Sequence, residues 1–407
     1  AIVGSGIAGN TAAWLLHNRH DVTVFEAAGY AGGHTNTVDI QSSAGALAID
    51  TGFIVFNDRT YPEFSKLLNA IGQPWQPSVM SFSVQHGAGR LEYNGASLGT
   101  MFAQKRNLAR PSFWRMLRDI LRFNKEAAAV LDIGDTSQTL ADYLKQHRYS
   151  REFAEHYLVP MAAAIWSGEH AQIRQMPVYF LVRFFLHHGL LQLRDRPNWR
   201  VIKGGSREYV RRLTAGFKEN VRLNCAVKSI VRSPNGIYIH SQAATIERFD
   251  AVVIACHSDQ ALALLRDPSE AERDTDRRLL PQRKACWAAW NYHLPDEAEG
   301  AAAVTYNMNI LQGLAVPEQY LVTLNNSERI DPRRVLRRFE YDHPVFTRES
   351  LAAQARQAEL NAGGRTLFCG AYWRNGFHED GVVSAINSVH HFEEALRDGQ
   401  LHLRRAG

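Results

Sequence analysis

Ala1-Ile2-Val3-Gly4-Ser5-Gly6-Ile7-Ala8-Gly9-Asn10 opens the chain, and Val22-Thr23-Val24-Phe25-Glu26 follows a short distance on. The first three residues read as the end of an apolar strand and Asn10 to His17 as a helix, so the glycines fall on the turn between them. That context separates a dinucleotide site from an ordinary glycine-rich turn. Gly4 permits the tight turn and Gly6 lets the backbone approach a pyrophosphate. Gly9 allows helix to pack closely on strand, with the phosphates facing the helix N-terminus. Val22 to Phe25 is then the second strand. It delivers Glu26, seventeen residues past Gly9, where a carboxylate can hydrogen-bond an adenosine ribose. Taken alone, these residues allow NAD or FAD, and Gly32-Gly33 just behind them points to FAD.

A chain of 407 residues with 45% hydrophobic content can bury large cores, and its length suggests two or three domains. The net charge of +5 suits an anionic surface such as phospholipid, and equally suits an ordinary solvated protein. Cys225, Cys256, Cys286 and Cys369 are scattered without metal-type spacing, which favours reduced thiols in a cytosolic setting over disulfides. The most apolar stretch, Tyr179 to Leu193, is broken by Arg183, His187 and His188 and is too short to cross a bilayer. The protein is therefore expected in the cytoplasm, with any membrane contact peripheral and at the inner face. The first strand reads as clipped, with no initiator Met. Neither a nucleic-acid partner nor a metal is expected, because the side chains of His187-His188 and His390-His391 diverge along a helix.

Leu47 to Phe56 reads as one extended apolar segment, and helical signals dominate from about Tyr61 to Leu193. Strand signals return at Val221 to Leu223, Val227 to Val231, Ile237 to His240 and Ala251 to Ala255. Ala285 to Tyr292 and Tyr320 to Leu324 read as strands of a separate sheet. Arg266 to Arg278 is a charged connector. A last strand, Thr366 to Cys369, precedes a glycine turn and a closing helix from about Val382 to Leu396.

Gly4-x-Gly6-x-x-Gly9, Glu26, Gly32-Gly33-His34, Asp50-Thr51-Gly52-Phe53, Gly204-Gly205 and Gly376 to Gly381 together resemble the flavin amine oxidase superfamily, in its order and over essentially the whole chain. Gly33-His34-Thr35, Tyr341 to Phe346 and Gly376 to Gly381 look like signatures of a bacterial subgroup of FAD-dependent oxidoreductases found beside cyclopropane-fatty-acyl synthases. The resemblance implies an α/β fold like that of amine oxidases and protoporphyrinogen oxidases. Its Rossmann-like FAD-binding domain is discontinuous, built from residues 1–75, 200–262 and 363–407. An α+β substrate domain takes residues 76–199 and 263–362.

The resemblance also assigns residues. Gly4, Ser5, Gly6, Ile7, Ala8, Gly9, Glu26 and Ala27 are placed at the adenosine and pyrophosphate end of FAD. Gly32 and Gly33 lie where backbone passes the pyrophosphate and ribityl chain, a place where a side chain would collide. His34 stands where amine oxidases usually keep Arg, which weakens the phosphate contact and argues against a standard amine oxidase. Gly52-Phe53 matches the segment that passes the flavin ring, and Val227 matches the valine whose main chain meets adenine. Gly370 matches the glycine after the final strand, with Ala371 where a polar residue is usual. Glu379, Asp380, Gly381 and Val382 open the last helix, whose N–H groups would face the flavin C2 carbonyl and favour hydride acceptance at N5.

Phe377 and Trp373 are placed at the substrate pocket, Phe377 as one wall of an aromatic cage or as simple packing. His378 and Glu379 are the candidate general bases near that face. Lys284, before Trp287 and Trp290, falls near the lysine that holds a water beside N5 in amine oxidases, though the reading that leads is a surface lysine. Residues 111–126 form a helical stretch that sets Phe113, Trp114, Leu117, Ile120, Leu121 and Phe123 against Arg115, Arg118, Arg122 and Lys125. Such a helix suits the lipid headgroup boundary, or packs its apolar side on the substrate domain. Phe180, Phe184, Phe185, Leu186, Leu190 and Leu191 read as core, with an acyl tunnel as the other use. The implied function is oxidation, in the form of desaturation, of a phospholipid acyl chain by hydride transfer to FAD. An amine oxidase and a non-catalytic flavoprotein partner of an acyl-modifying enzyme remain alternatives.

Overall fold

A computed structural model describes the chain apart from residues 87–89, 96, 167–169, 193–195, 244–245, 267–290, 295–302, 325–329, 331, 340–351, 363 and 404–407. Five short strands, Ile2–Val3 (β1), Val24–Phe25 (β2), Val221–Arg222 (β3), Val252–Ile254 (β4) and Thr366–Phe368 (β5), pair in parallel in the order β3-β2-β1-β4-β5. Parallel strands need cover on both faces. Alternation supplies it. Ile2 joins a cluster with Leu16, Val389 and Phe392, while Val3 joins one with Ile237, Ile239 and Phe368. The helices that position the site are Ile7–Leu16 (α1), Pro62–Ala70 (α2), Pro111–Glu126 (α3), Val178–His187 (α4) and His378–Arg397 (α5).

Gly9 sets the packing of α1 on the sheet, because a Cβ there would lie 1.9 Å from the Gly4 carbonyl oxygen. The closing helix α5 begins four residues before the expected Val382. Asp380 Oδ2 accepts the backbone N–H groups of Phe377 at 2.9 Å and Asn375 at 3.2 Å, which stabilises the earlier start. Gly381 is thus a helical residue, not a breaker. A Cβ on it would sit 2.7 Å from Ile7 Cγ2, so it lets α5 approach α1.

The expected single segment Leu47 to Phe56 is two strands, Gly45–Asp50 and Val55–Asn57. Between them Phe53 N–H donates to the His34 carbonyl at 2.8 Å, which bends the chain. Strands Trp75–Pro77, Ser83–His86 and Leu91–Asn94 interrupt the region read as helical. Ser83–His86 buries only Val84 fully, so its four residues carry little strand signal by themselves. It pairs with Asn291–Leu294 at the heart of a second five-stranded sheet. Helical residues pack beside this sheet in the largest core cluster, from Phe113 and Ile120 to Phe180 and Phe185. There Pro160 lacks an N–H for the His156 carbonyl, and Tyr93 Oη–H donates to that oxygen at 2.5 Å. A π-helical turn at Ala154–Leu158 accompanies it. Among the described residues no helix is long and apolar enough to cross a membrane.

Asp50, fully buried, ties the strand pair Thr37–Ser42 and Gly45–Asp50 to Ser206 and to the short helix Met308–Gln312. Its Oδ1 accepts from Thr37 Oγ1 at 2.6 Å and from Ser206 N and Oγ at 2.8 Å, and its Oδ2 accepts from Gln312 Nε2 at 3.2 Å. Burial lifts its pKa to about 6 against these hydrogen bonds, from an ordinary value of 3.8. The folded protein therefore holds this proton more tightly than the unfolded chain does. The group's contribution to stability is full below about pH 4 and declines as pH rises through 6, by ~3 kcal/mol for a shift of about two units. Denaturant titrations of wild type and Asp50→Asn should show wild type favoured by about that much more at pH 4 than at pH 7. An equal difference at both pH values would contradict the assignment. Gly381→Val should lower the unfolding free energy by ~1–3 kcal/mol by forcing α5 off α1, and a melting temperature equal to wild type would exclude that contact.

Candidate functional site

The carboxyl ends of β1 and β2 open on a cavity of about 1540 Å³ that extends into the helical half of the molecule. Ligand pockets commonly hold ~300–1,000 Å³, so this one has room for a large cofactor and a second molecule. Its lining falls into two ends.

At the sheet end, Gly4, Ser5, Gly6, Ile7, Ala8, Glu26, Ala27, Gly32, Gly33, His34, Gly52, Phe53, Val227 and Gly370 all line the cavity. A Cβ on Gly6 would meet no protein atom within 4 Å, so the space beside it belongs to the cavity. Glu26 is held in place there. Its Oε2 accepts from Ser5 N at 2.9 Å and Ser5 Oγ at 2.5 Å, and its Oε1 from Ala28 N at 2.8 Å. A carboxylate offers about four lone-pair sites, so capacity remains for a ribose hydroxyl. His257, which the sequence reading missed, also lines this end, its ring 6.1 Å from that of His34. An open glycine turn, a fixed carboxylate and two imidazoles fit a dinucleotide, and these residues would hold one.

Other assignments change. Gly9, Asp380, Gly381, Val382, Glu379 and Trp373 are not among the lining residues. Gly9, Asp380 and Gly381 set helix packing and capping as described above, while Val382 is buried against Phe53 and Phe64. Glu379 is no free base. Its Oε1 accepts from Glu63 N at 3.1 Å and its Oε2 from Phe64 N at 2.9 Å, so it caps α2 from a distant part of the chain. Burial raises its pKa, opposed by these hydrogen bonds. Trp373 packs in the core cluster with Tyr372 and Phe368.

His378 reaches the cavity wall but its ring is engaged. Nε2 lies 3.0 Å from both Tyr209 Oη and Thr35 Oγ1, and the ring stacks on Phe53 at 3.5 Å. Burial holds its pKa well below the usual imidazole range, with the neighbouring His34 adding to the effect. With Nε2 engaged by both hydroxyls, the ring suits a positioning role better than proton abstraction. Lys284, Trp287, Trp290 and the segment Tyr341 to Phe346 lie outside the described residues, as does most of the connector Arg266 to Arg278.

At the helical end Phe377 does form a wall. Its ring lies 5.2 Å from Phe184 and 5.7 Å from His188, and Phe184 stacks on His188 at 3.7 Å. His188 Nδ1 lies 3.0 Å from the Phe184 carbonyl oxygen. A carbonyl can only accept, so Nδ1 carries the hydrogen and Nε2 is the ring's acceptor. Burial lowers the His188 pKa to about 3. Trp166 Nε1 is buried in the same wall and finds no acceptor among the described residues. Tyr157, Arg118 and Arg196 are the other prominent polar groups, and burial pushes the Tyr157 hydroxyl up to about 12. Of the apolar residues of α4 and its continuation, Phe184 and Leu190 line the cavity, Phe180, Phe185 and Leu191 are core, and Leu186 is exposed. No local pattern distinguishes these uses, because they depend on which elements face α4.

The sequence profile of the family described as flavin containing amine oxidoreductase matches residues 7–285. No curated protein matches the chain in sequence. Solved structures resemble it over nearly their whole length. A cofactor-binding mutant of putrescine oxidase aligns with TM-score 0.69 and 12% identity, over 97% of this chain and 98% of that one. Cyclohexylamine oxidase from Brevibacterium oxydans IH-35A gives 0.65 and 17%, over 97% and 99%. The CLA-producing fatty acid isomerase from P. acnes gives 0.67 and 14%, over 96% and 97%. At these identities the likeness establishes the fold. With the family match and a cavity that fits a dinucleotide, the chain belongs to the flavin-containing amine oxidoreductase family and is an FAD-dependent oxidoreductase.

Proposed function

We propose that the protein desaturates the acyl chain of a phospholipid. The supporting observation is the charge of the cavity. Glu26, at the cofactor end, is the sole acidic residue among the described lining residues, whereas Arg118 and Arg196 are present at the helical end. An ammonium group drawn from water into this wall would find no carboxylate to replace its hydration. An apolar chain with an anionic headgroup meets aromatic and aliphatic walls, two guanidinium groups and the Trp166 N–H. Two structural neighbours, putrescine oxidase and cyclohexylamine oxidase, favour the amine reading, while the fatty acid isomerase favours the acyl one. Likeness to the subgroup beside cyclopropane-fatty-acyl synthases adds to the second.

Bound FAD supplies a two-electron acceptor for the hydride of a substrate C–H bond. The rings of Phe377 and Phe184 hold the chain, exclude water and present π-faces to positive charge developing on carbon. As one carbon loses hydride, the C–H of its neighbour becomes strongly acidic, so a weak base suffices. His188 Nε2 takes that proton, and the electron pair left behind closes the double bond. Nδ1, committed to the Phe184 carbonyl, keeps the ring oriented.

Anaerobic mixing of the FAD-loaded protein with membrane phospholipid should bleach the flavin and leave one lipid class lighter by two hydrogens in mass analysis. Bleaching by putrescine or cyclohexylamine, with none by phospholipid, would overturn the proposal in favour of amine oxidation. Tight FAD binding without any turnover would instead support a non-catalytic partner of an acyl-modifying enzyme. His188→Ala should slow bleaching by about 10²- to 10⁴-fold while the bound-flavin spectrum is kept. An unchanged rate would remove His188 from the chemistry.

A further inference from the structure

Helix α3 lies along the edge of the cavity and presents two faces. Phe113, Met116, Ile120 and Phe123 are buried in the helical core. Trp114, Leu117, Arg118 and Leu121 follow at helical spacing and line the cavity, yet Trp114 is 49% and Leu121 55% exposed. They therefore form a rim between the cavity and solvent. Leu108, in the turn before α3, adds another half-exposed apolar side chain, and its carbonyl oxygen accepts the Trp114 indole N–H at 2.8 Å. Phe102, 5.2 Å from the Trp114 ring, continues this apolar lining inward.

The charge around the rim is one-sided. Residues Lys105 to Glu126 contain seven basic residues, Lys105, Arg106, Arg110, Arg115, Arg118, Arg122 and Lys125, against the acids Asp119 and Glu126. The excess equals the net charge of +5 of the whole chain, so the remaining residues are balanced overall. Asp119 is fully buried, accepts the Ser150 N–H at 2.8 Å and pairs with Arg118 at 3.4 Å, and Arg115 pairs with Glu152, so the segment's excess positive charge is carried by its other basic side chains. Half-exposed Trp and Leu set among lysines and arginines match the acyl and headgroup layers of an anionic bilayer.

We propose that this rim docks on an anionic phospholipid surface, with Leu108, Trp114 and Leu121 in the acyl boundary and the basic side chains on the headgroups, so that a lipid chain enters the cavity past Leu117 and Arg118. The proposal rests on the acyl-chain function above and adds the route by which substrate arrives. Net charge alone does not mark the surface. Its concentration on one segment at a cavity mouth does.

The FAD-loaded protein should co-sediment with vesicles of phosphatidylcholine containing about one third phosphatidylglycerol, far more than with phosphatidylcholine alone. Binding should fall at least tenfold on raising salt from about 0.05 to 0.5 M, as screening requires, and tryptophan emission should shift to the blue. Leu121→Asp and Lys125→Glu should each weaken vesicle binding by roughly tenfold, with the bound-flavin spectrum reporting that each variant is folded. Absence of sedimentation, equal sedimentation with neutral vesicles, or full binding by both variants would overturn the proposal. Self-association removed by Leu121→Asp, without vesicle binding, would overturn it by assigning the rim to a second copy of the chain. Flavin bleaching by phospholipid in detergent micelles separates the two claims. Bleaching without vesicle binding overturns the docking surface alone, and vesicle binding without bleaching overturns the acyl-chain function alone.

Discussion

The carboxylate of Glu379 bonded to the Glu63 and Phe64 amides is the contact on which the site's geometry depends. Tyr61 at the start of α2 supplies no side-chain cap, so those donors would otherwise be left in a largely buried junction. The same helical turn fixes four neighbouring positions. Phe377 forms the cavity wall, His378 stacks on Phe53, Asp380 caps the turn, and Gly381 admits Ile7. Five consecutive residues thus join α5 to α1, to α2, to the Gly52-Phe53 bend and to the cavity. Their conjunction sets where Phe377 stands relative to the glycine turn at Gly6. Chemistry at the site is then a matter of what that placement leaves open between Phe377, Phe184 and His188.

Much of the cofactor end is legible in the sequence because its requirements are local. A strand, a glycine turn and a helix follow one another in the chain, and Glu26 ends the next strand. Gly32, Gly33, His34, Gly52 and Val227 are recoverable through the family resemblance, and the cavity gathers all of them. Residues 111–126 read as a helix because proline at its first position and a period of three to four fix both bounds.

The helical end resists such reading for a physical reason. His188 reads as half of a histidine pair, and Trp166 as one more apolar residue, until α4 and the segment after the π-helical turn are brought together. Glu379 and His378 mislead in the opposite direction. Buried ionisable groups beside a cavity are the usual mark of acid–base chemistry. Here their hydrogen-bonding capacity is committed to backbone amides and to the Thr35 and Tyr209 hydroxyls, contacts that no local pattern announces. Strand Ser83–His86 pairs locally with Leu91–Asn94, but its place in the sheet was hidden likewise, since its other partner, Asn291–Leu294, lies some two hundred residues away.

Asp50 joins the two halves of the molecule as α5 joins the pieces within one of them. Through Thr37, Ser206 and Gln312 it links the strand pair behind the glycine loop to the short helix Met308–Gln312, which contributes Leu311 to the cavity. The cavity is therefore built across a junction whose parts are tied by buried polar contacts, and its wall chemistry is set by which side chains those contacts bring inward. A cavity whose sole acid among the described lining residues sits at the cofactor end should select an acyl chain over an ammonium. Anaerobic titration of the FAD-loaded protein, followed by flavin absorbance, tests this most directly, with a non-oxidisable long-chain phospholipid analogue in one cell and putrescine in the other. Saturable perturbation of the flavin spectrum by the lipid and none by the amine is the expected result. Perturbation by the amine alone would contradict it.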